Sequence, residues 1–278
     1  VTILITGATG TTGSRLARLL ADHGAPVRRA GRSPGADVRF DWADPTTHAD
    51  ALRGVRAVYL VAPPGATDPE TPVVPFLETA RAEGVERVVL LGSSAVPVGA
   101  PGPGALGARL GSFVPHPVVL RPTWFSSNFT GNHPHADSHR RDGEIVSATG
   151  QGRTPFIDPG DIAAVAARAL MGEVPAGADL VLTGPRPLSF DEVAATLTEA
   201  TGRPVRHRRV SVAELSRLHQ GHGLPARFAD LLAAMDERIA AGAEDRTTTV
   251  VEDVTGRAPR SFPEFVSDSL GAGTGSLA

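Results

Sequence analysis

Apolar and polar positions come in short alternating blocks along the first two-thirds of the chain. Residues 1–5 form a β-branched apolar run, the pattern of a strand buried on both faces. Leu16, Leu19 and Leu20 then recur at helical spacing, and Gly24 closes that stretch as a C-terminal glycine does. The blocks continue in the same rhythm. Strands are predicted at 26–30, 38–40, 57–62, 85–91 and 117–120, with helices at 46–53, 70–83 and 105–113. Strands that alternate with helices at this pace predict an α/β fold, a doubly wound parallel sheet with ligands at the carboxyl ends of its strands. The pattern then turns mostly helical, at 135–141, 158–170, from Ser189 onward, 213–218, 225–241 and 263–270. Extended stretches are predicted at 144–147, 180–182 and 205–208, and a disordered tail at 271–278. No internal repeat is present.

The joint between the first strand and the first helix carries the chemistry. Gly7, Gly10 and Gly13 stand at every third position there. Gly7 permits the tight turn, Gly10 lets the backbone approach a pyrophosphate, and Gly13 lets the helix pack closely. The helix N-terminus then points free N–H groups and its positive dipole end at the phosphates. Glycine spacing alone is weak evidence; here a buried strand precedes it and an amphipathic helix follows. The stretch, with Thr9, Thr11 and Thr12, is therefore expected to bind a dinucleotide. The predicted organisation is a Rossmann-type NAD(P)-binding domain over 1–150. Residues 151–278 hold the last sheet elements and a smaller, mostly helical C-terminal substrate domain.

The second strand decides between cofactors. An NAD site places an acid about 20 residues past the glycine turn, on the ribose 2′-hydroxyl. No acid lies between Asp22 and Asp37; Arg28, Arg29, Arg32 and Ser33 lie there instead. That setting fits a 2′-phosphate, so NADP(H) is expected, with Arg32 and Ser33 in the turn as its ligands. Asp41 has two readings, an acceptor for the adenine amino group beside Trp42 or a cap for the next helix. The ends of the fourth and fifth strands, at Ala62-Pro63-Pro64 and Ser93, are expected against the cofactor, as is Pro122.

Composition narrows the function further. Of 278 residues 41% are hydrophobic, enough for a sizeable core. The net charge of −3 and a pI near 6.3, without a basic run, argue against nucleic acid or an anionic membrane as partner. No apolar stretch is long enough to span a bilayer. The first residues already form a core strand, so no signal peptide and a cytoplasmic protein are expected. Cysteine is absent, which removes thiolate nucleophiles and disulfides. All 27 basic residues are arginine, so no lysine can form a Schiff base or act as a general base. A small-molecule substrate is the expected partner; the sequence gives no oligomeric state.

Five segments together resemble one family. They are Gly7-Ala8-Thr9-Gly10-Thr11-Thr12-Gly13, Leu90-Leu91-Gly92-Ser93-Ser94, Leu120-Arg121-Pro122-Thr123-Trp124-Phe125, Phe156-Ile157-Asp158-Pro159-Gly160-Asp161-Ile162-Ala163 and Thr255-Gly256-Arg257-Ala258-Pro259. The chain resembles the NmrA-like branch of the atypical short-chain dehydrogenase/reductases. Within it, the pattern is most similar to the ergot-alkaloid iminium reductases and related NAD(P)H-binding reductases. The resemblance implies that strand ends near Pro63, Ser93 and Pro122 line the cofactor. It also implies that Trp124, Phe125 and Phe129 face nicotinamide and substrate, between the sheet's carboxyl edge and the C-terminal helices. Read from the residues alone, those three aromatics also fit a plain core.

The usual catalytic pair of short-chain dehydrogenases, a tyrosine and a lysine four residues later, has no counterpart. The single tyrosine, Tyr59, falls inside an apolar strand. Ser93-Ser94 lacks the glycine flanks of a nucleophile elbow; Ser94 is read as a hydrogen-bonding group for substrate or cofactor. His133 is a candidate proton donor near the pocket. His135 and His139 have a helical metal-pair spacing without a third ligand, and are read as surface residues at the pocket rim. His219 and His222 look like a helix end. Three function classes stand at this point: an NADPH-dependent reductase of an iminium, enone or quinone, a redox-sensing regulator, and a non-redox isomerase or cyclase.

Overall fold

The computed structural model describes residues 1–63, 65–66 and 68–274. The apolar runs of the N-terminal stretch become β1 (Thr2–Ile5), β2 (Val27–Gly31), β3 (Val38–Arg39), β4 (Val55–Leu60), β5 (Arg87–Leu91) and β6 (His116–Pro122). Between them lie α1 (Gly13–Asp22), α2 (His48–Leu52), α3 (Glu70–Ala82) and α4 (Pro103–Arg109). The chain continues through α5 (Pro134–Asp142), β7 (Glu144–Ser147) and β8 (Arg153–Thr154), then α6 (Pro159–Leu170) and β9 (Ala178–Leu182). It ends with β10 (Leu188–Ser189), α7 (Phe190–Thr201), β11 (Arg206–Arg209), α8 (Val212–Gly221), α9 (Ala226–Ala240), α10 (Val250–Thr255) and α11 (Phe262–Thr274). The predicted strand at 57–62 starts two residues earlier and stops at Leu60. The helix predicted at 263–270 runs on to Thr274, beyond the predicted start of the tail; residues 275–278, like Pro64, lie outside the described residues.

Two compact units result. The first comprises residues 1–122, 159–182 and 250–257, the second 123–158, 183–249 and 258–278. A single boundary at residue 150 does not describe them. α6, β9 and α10 come late in the chain yet belong to the first unit, because β9 pairs in parallel with β6 from Val118–Ala178 to Pro122–Leu182. Residues 123–150 belong to the second unit.

The first unit is the expected α/β layer structure. Seven strands stand in the order β3-β2-β1-β4-β5-β6-β9, and every pairing is parallel. The order reverses between β1 and β4, which opens the crevice where such sheets take ligands. Leu4, Val58, Leu60, Val88 and Leu90 are buried within the sheet, against Phe76, Leu77 and Leu106 from α3 and α4. Pro159, Ile162, Ala163, Val165 and Leu170 of α6 are all buried too, so that helix is a core element rather than a surface one.

The second unit is mixed and mostly helical. β7 and β11 pair in parallel, β8 and β10 antiparallel. Its core is a cluster of phenylalanines: Phe129 lies 5.2 Å from Phe156, 5.9 Å from Phe190 and 5.6 Å from Phe262, in edge-on contacts. α8 and α9 pack on each other as a hairpin. No helix among the described residues is long and apolar enough to cross a membrane.

Candidate functional site

In the first unit the glycine turn is built as its spacing requires. Gly7 has φ +63°, a left-handed conformation that favours glycine. The Gly10 N–H donates to the Gly7 carbonyl at 2.9 Å and closes the turn. A Cβ on Gly13 would collide with that same carbonyl, so the glycine serves the approach of α1 to the turn itself. α1 starts without any side-chain cap; the Ser14 N–H donates to the Gly10 carbonyl at 3.1 Å, and no side chain covers the positive end of the helix. Gly7, Thr9, Gly10 and Thr11 are exposed there, while Thr12 is buried.

The other strand ends gather at the same edge of the sheet. The Thr6 hydroxyl accepts from the Val61 N–H at 2.8 Å and ties the end of β1 to the end of β4, where Ala62 and Pro63 are half-buried. The Ser94 N–H donates to the Pro122 carbonyl at 3.0 Å, which joins the ends of β5 and β6. Ser93 is half-buried and Ser94 only 3% exposed.

The three arginines differ. Arg29 forms an ion pair with Asp37, Nη2 to Oδ1 2.8 Å, and the guanidinium holds that carboxyl below the usual carboxylate range. Arg28 donates to the Ala51 and Arg53 carbonyls at 2.9 and 2.7 Å. Arg32 and Ser33 are exposed, and the Arg32 guanidinium has no partner among the described residues. Asp41 caps no helix: its Oδ1 accepts from the Ala43 N–H at 3.0 Å, whereas Asp44 accepts from Thr46 N–H at the start of the next helical turn. Trp42 packs edge-on against Phe40 and Phe76, centroids 4.8 and 5.2 Å apart. Tyr59 is fully buried and donates to the Thr12 hydroxyl at 3.0 Å; burial pushes its phenol well above the ordinary range.

The second unit contains a cavity of about 510 Å³. α5, β7, β11, α8 and α9 enclose it, and Trp124, Leu215, Leu218 and Met235 supply apolar wall. Trp124 is half-buried and lines it. Phe125 does not; its backbone bridges to Ile157. Phe129 is a correction: it is 1% exposed, in the centre of the aromatic cluster, and does not reach the cavity wall. His133 does line the cavity. It precedes α5, and its Nδ1 accepts from the His135 N–H at 3.2 Å. Burial lowers the His133 imidazole and pulls His135 down to about 3. His139 is not a surface residue: it is buried, with Nε2 2.7 Å from the Phe129 carbonyl. His135 stacks on the Phe129 ring at 5.4 Å. No group of three metal-ligating side chains occurs among the described residues. His219 and His222 do end a helix, α8, and both line the cavity.

Two features escaped the sequence reading. Ser147, His207 and Asp191 have the residue types of a nucleophile triad, Ser147 Oγ 2.8 Å from His207 Nε2 and His207 Nδ1 3.5 Å from Asp191. Ser147 is fully buried and also bonded to Thr149 at 2.7 Å, so this is a polar network inside the fold rather than a nucleophile. The second feature is Asp236, a buried carboxyl on α9 that lines the cavity. The signal for it was an acid on an otherwise apolar helical stripe, with Ala229, Ala233 and Ile239.

Comparison with known proteins adds the family. Residues 7–114 match an NAD(P)H-binding family. An oxidoreductase of Bacillus subtilis, YesF, is 43% identical over 95% of this chain and 94% of its own length. The agroclavine dehydrogenase of Claviceps fusiformis is 39% identical over 97% of both chains. The chain belongs to this NmrA-like family of NAD(P)H-binding oxidoreductases. The cradle described above fits the phosphates of an NAD(P)H cofactor: no side chain caps α1, the turn is exposed, and a Cβ on Gly13 would displace it. Among solved structures, the NADPH-dependent quinone oxidoreductase of Escherichia coli is 23% identical, with a TM-score of 0.80 over 96% of this chain and 99% of its own. That likeness shows the shared fold.

Proposed function

We propose that the protein is an NADPH-dependent reductase that delivers hydride to an iminium carbon, or to a conjugated enone or quinone, of a small secondary metabolite. The observation that carries this reading is Tyr59. It is the only tyrosine of a chain without lysine, and its hydroxyl is sealed in the core and spent on Thr12. Reduction of a simple ketone places negative charge on oxygen and gains from a proton donor or oxyanion site. An iminium carbon already carries positive charge, and its reduction needs no simultaneous proton. Full-length similarity to the agroclavine dehydrogenases supports a hydride-transfer reaction.

When bound, NADPH supplies a hydride from C4, so an iminium becomes an amine and the cofactor leaves as NADP⁺. The residues then have defined tasks. The glycine turn, Thr9, Thr11 and the α1 terminus hold the pyrophosphate, and Arg32 with Ser33 the 2′-phosphate. Asp41 and Trp42 border the adenine; Ala62, Pro63, Ser93 and Pro122 border the nicotinamide half. Ser94 stands as a hydrogen-bonding group for an enone or quinone oxygen. Trp124 walls the substrate, with Phe125 beside it in sequence, and His133, on the same cavity wall as Trp124, is the candidate donor to a conjugated acceptor through its neutral imidazole. The contribution is one of positioning in a pocket walled by Trp124.

The test supplies NADPH deuterated at C4 with iminium, enone and simple ketone substrates. Deuterium on carbon is expected for the first two classes. Turnover of simple ketones alone would contradict the reading, and product without deuterium transfer would favour a non-redox enzyme.

A further inference from the structure

The cavity of the second unit holds an acid for which the fold provides no counter-charge. Asp236 belongs to the buried stripe of α9 and is 8% exposed. The Ala148 N–H donates to its Oδ2 at 2.9 Å, and no described residue donates to Oδ1. A carboxylate in such surroundings is costly unless it is paired or hydrogen-bonded.

The cations of the cavity wall are already engaged. Arg208 pairs with Glu144 and Glu214, each at 3.1 Å. Arg141 pairs with Asp142 at 2.7 Å. Burial holds the imidazoles of His133, His135 and His219 below their ordinary range, so they are neutral at pH 7. His222 is the remaining imidazole of the wall, and Asp137 faces the cavity as a further acid, 3.4 Å from Arg140. The same wall also has an apolar part, with Leu232 and Met235 on the helix of Asp236 and Trp124 from the segment before α5.

We propose that Asp236 is the counter-ion for a cationic nitrogen of the ligand, and that this cavity takes an amphiphilic cation, an iminium or protonated amine carried on an apolar ring body. The proposal deepens the reductase reading, resting on it for which ligand reacts, and selects the iminium over the neutral quinone and enone. Burial pushes the Asp236 carboxyl up to about 6, so it is mostly ionised at neutral pH, and a bound cation favours that state further.

The experiment uses redox-inert ligands, so binding is read apart from turnover. The full chain is titrated calorimetrically with benzyltrimethylammonium and with neopentylbenzene, its neutral carbon isostere. The cation is expected to bind at least about ten-fold more tightly at pH 8, and Asp236→Asn to abolish the difference while NADPH affinity stays the same. Asn can still accept from Ala148, so the variant is expected to melt at an equal or higher temperature at pH 8, whereas a purely structural aspartate would lower it. In the wild type, cation affinity is expected to fall about ten-fold from pH 7.5 to pH 5 as Asp236 takes its proton. His222→Asn leaves that fall in place.

Equal binding of the two ligands, or a preference that survives Asp236→Asn, overturns the proposal. If that variant does not fold, a flat wild-type pH profile overturns it. The two readings fail separately. Cation selectivity without deuterium transfer sinks the reductase and leaves the anchor; transfer to an iminium without cation selectivity does the reverse.

Discussion

Arg28, Arg29 and Arg32 have the same charge and different availability. Two of them are committed, one to backbone carbonyls at the end of α2 and one to Asp37, and both hold the first unit together. Arg32 is left for a ligand, and as a planar donor it suits a phosphate. NADPH is therefore expected to bind more tightly than NADH. Arg32→Ala is expected to cut that preference by about ten-fold or more, the worth of one charge-assisted contact, with little change in NADH affinity. Parallel titrations of both cofactors check it, and equal wild-type affinities would remove the basis for the assignment.

At the scale of elements, local chemistry sets some helices and packing sets others. α7 begins at a full capping box: Glu192 N–H donates to Ser189 Oγ at 3.3 Å, and Ser189 N–H to Glu192 Oε2 at 2.8 Å. Phe190, Val193 and Leu197 of that helix carry the aromatic core of the second unit. Ser189→Ala is expected to cost about 1 kcal/mol and to lower Tm by ~2–4 °C, measured by calorimetry with cofactor affinity unchanged. The opposite case is α11. A glycine at 271 reads as a stop, yet the helix continues to Thr274, its buried Phe262, Phe265 and Val266 anchoring it in the second unit's core, where α11 packs on α7. The two-residue strands β8 and β10 and the six-residue α10 had no readable period, each covering fewer than two repeats of the pattern that would betray it.

For the whole molecule, buried imidazoles dominate the response to acid. His48, His133, His135, His139, His207 and His219 all lie below their ordinary 6.5, each chiefly through burial. The unfolded chain takes up their protons near 6.5 and the folded chain only at lower pH. Their contribution to stability is therefore complete above that pH and is lost as pH falls below it. Asp236 runs the other way. Raised from 3.8 to about 6, it holds a proton in the folded chain that the unfolded chain has released, so between those values it adds stability as pH falls. Six groups oppose one, and Tm is expected to decline from pH 7 to pH 5. A Tm that rises over this range would mean that the imidazoles are solvated.

Local periodicity was enough for the nucleotide-binding half. A strand, three glycines and an amphipathic helix constrain one another within some twenty residues, so β1, the turn and α1 could be read directly, as could the parallel sheet and the cofactor class. Ser189 and its acids announced α7 for the same reason. Properties that depend on distant partners could not be read this way. Arg29 and Arg32 are alike in the chain, and only the return of Asp37 beside β2 tells them apart. Trp124 and Phe129 share one aromatic segment, and only the packing of Phe156, Phe190 and Phe262 sends one to the core and leaves the other on a cavity wall. α6 and β9 look like the start of a second domain until β9 pairs with β6. Asp236 looks like one more helical acid until α9 packs on α8 and turns it inward. Burial and pairing are made by residues far apart in sequence, and no period along the chain encodes them.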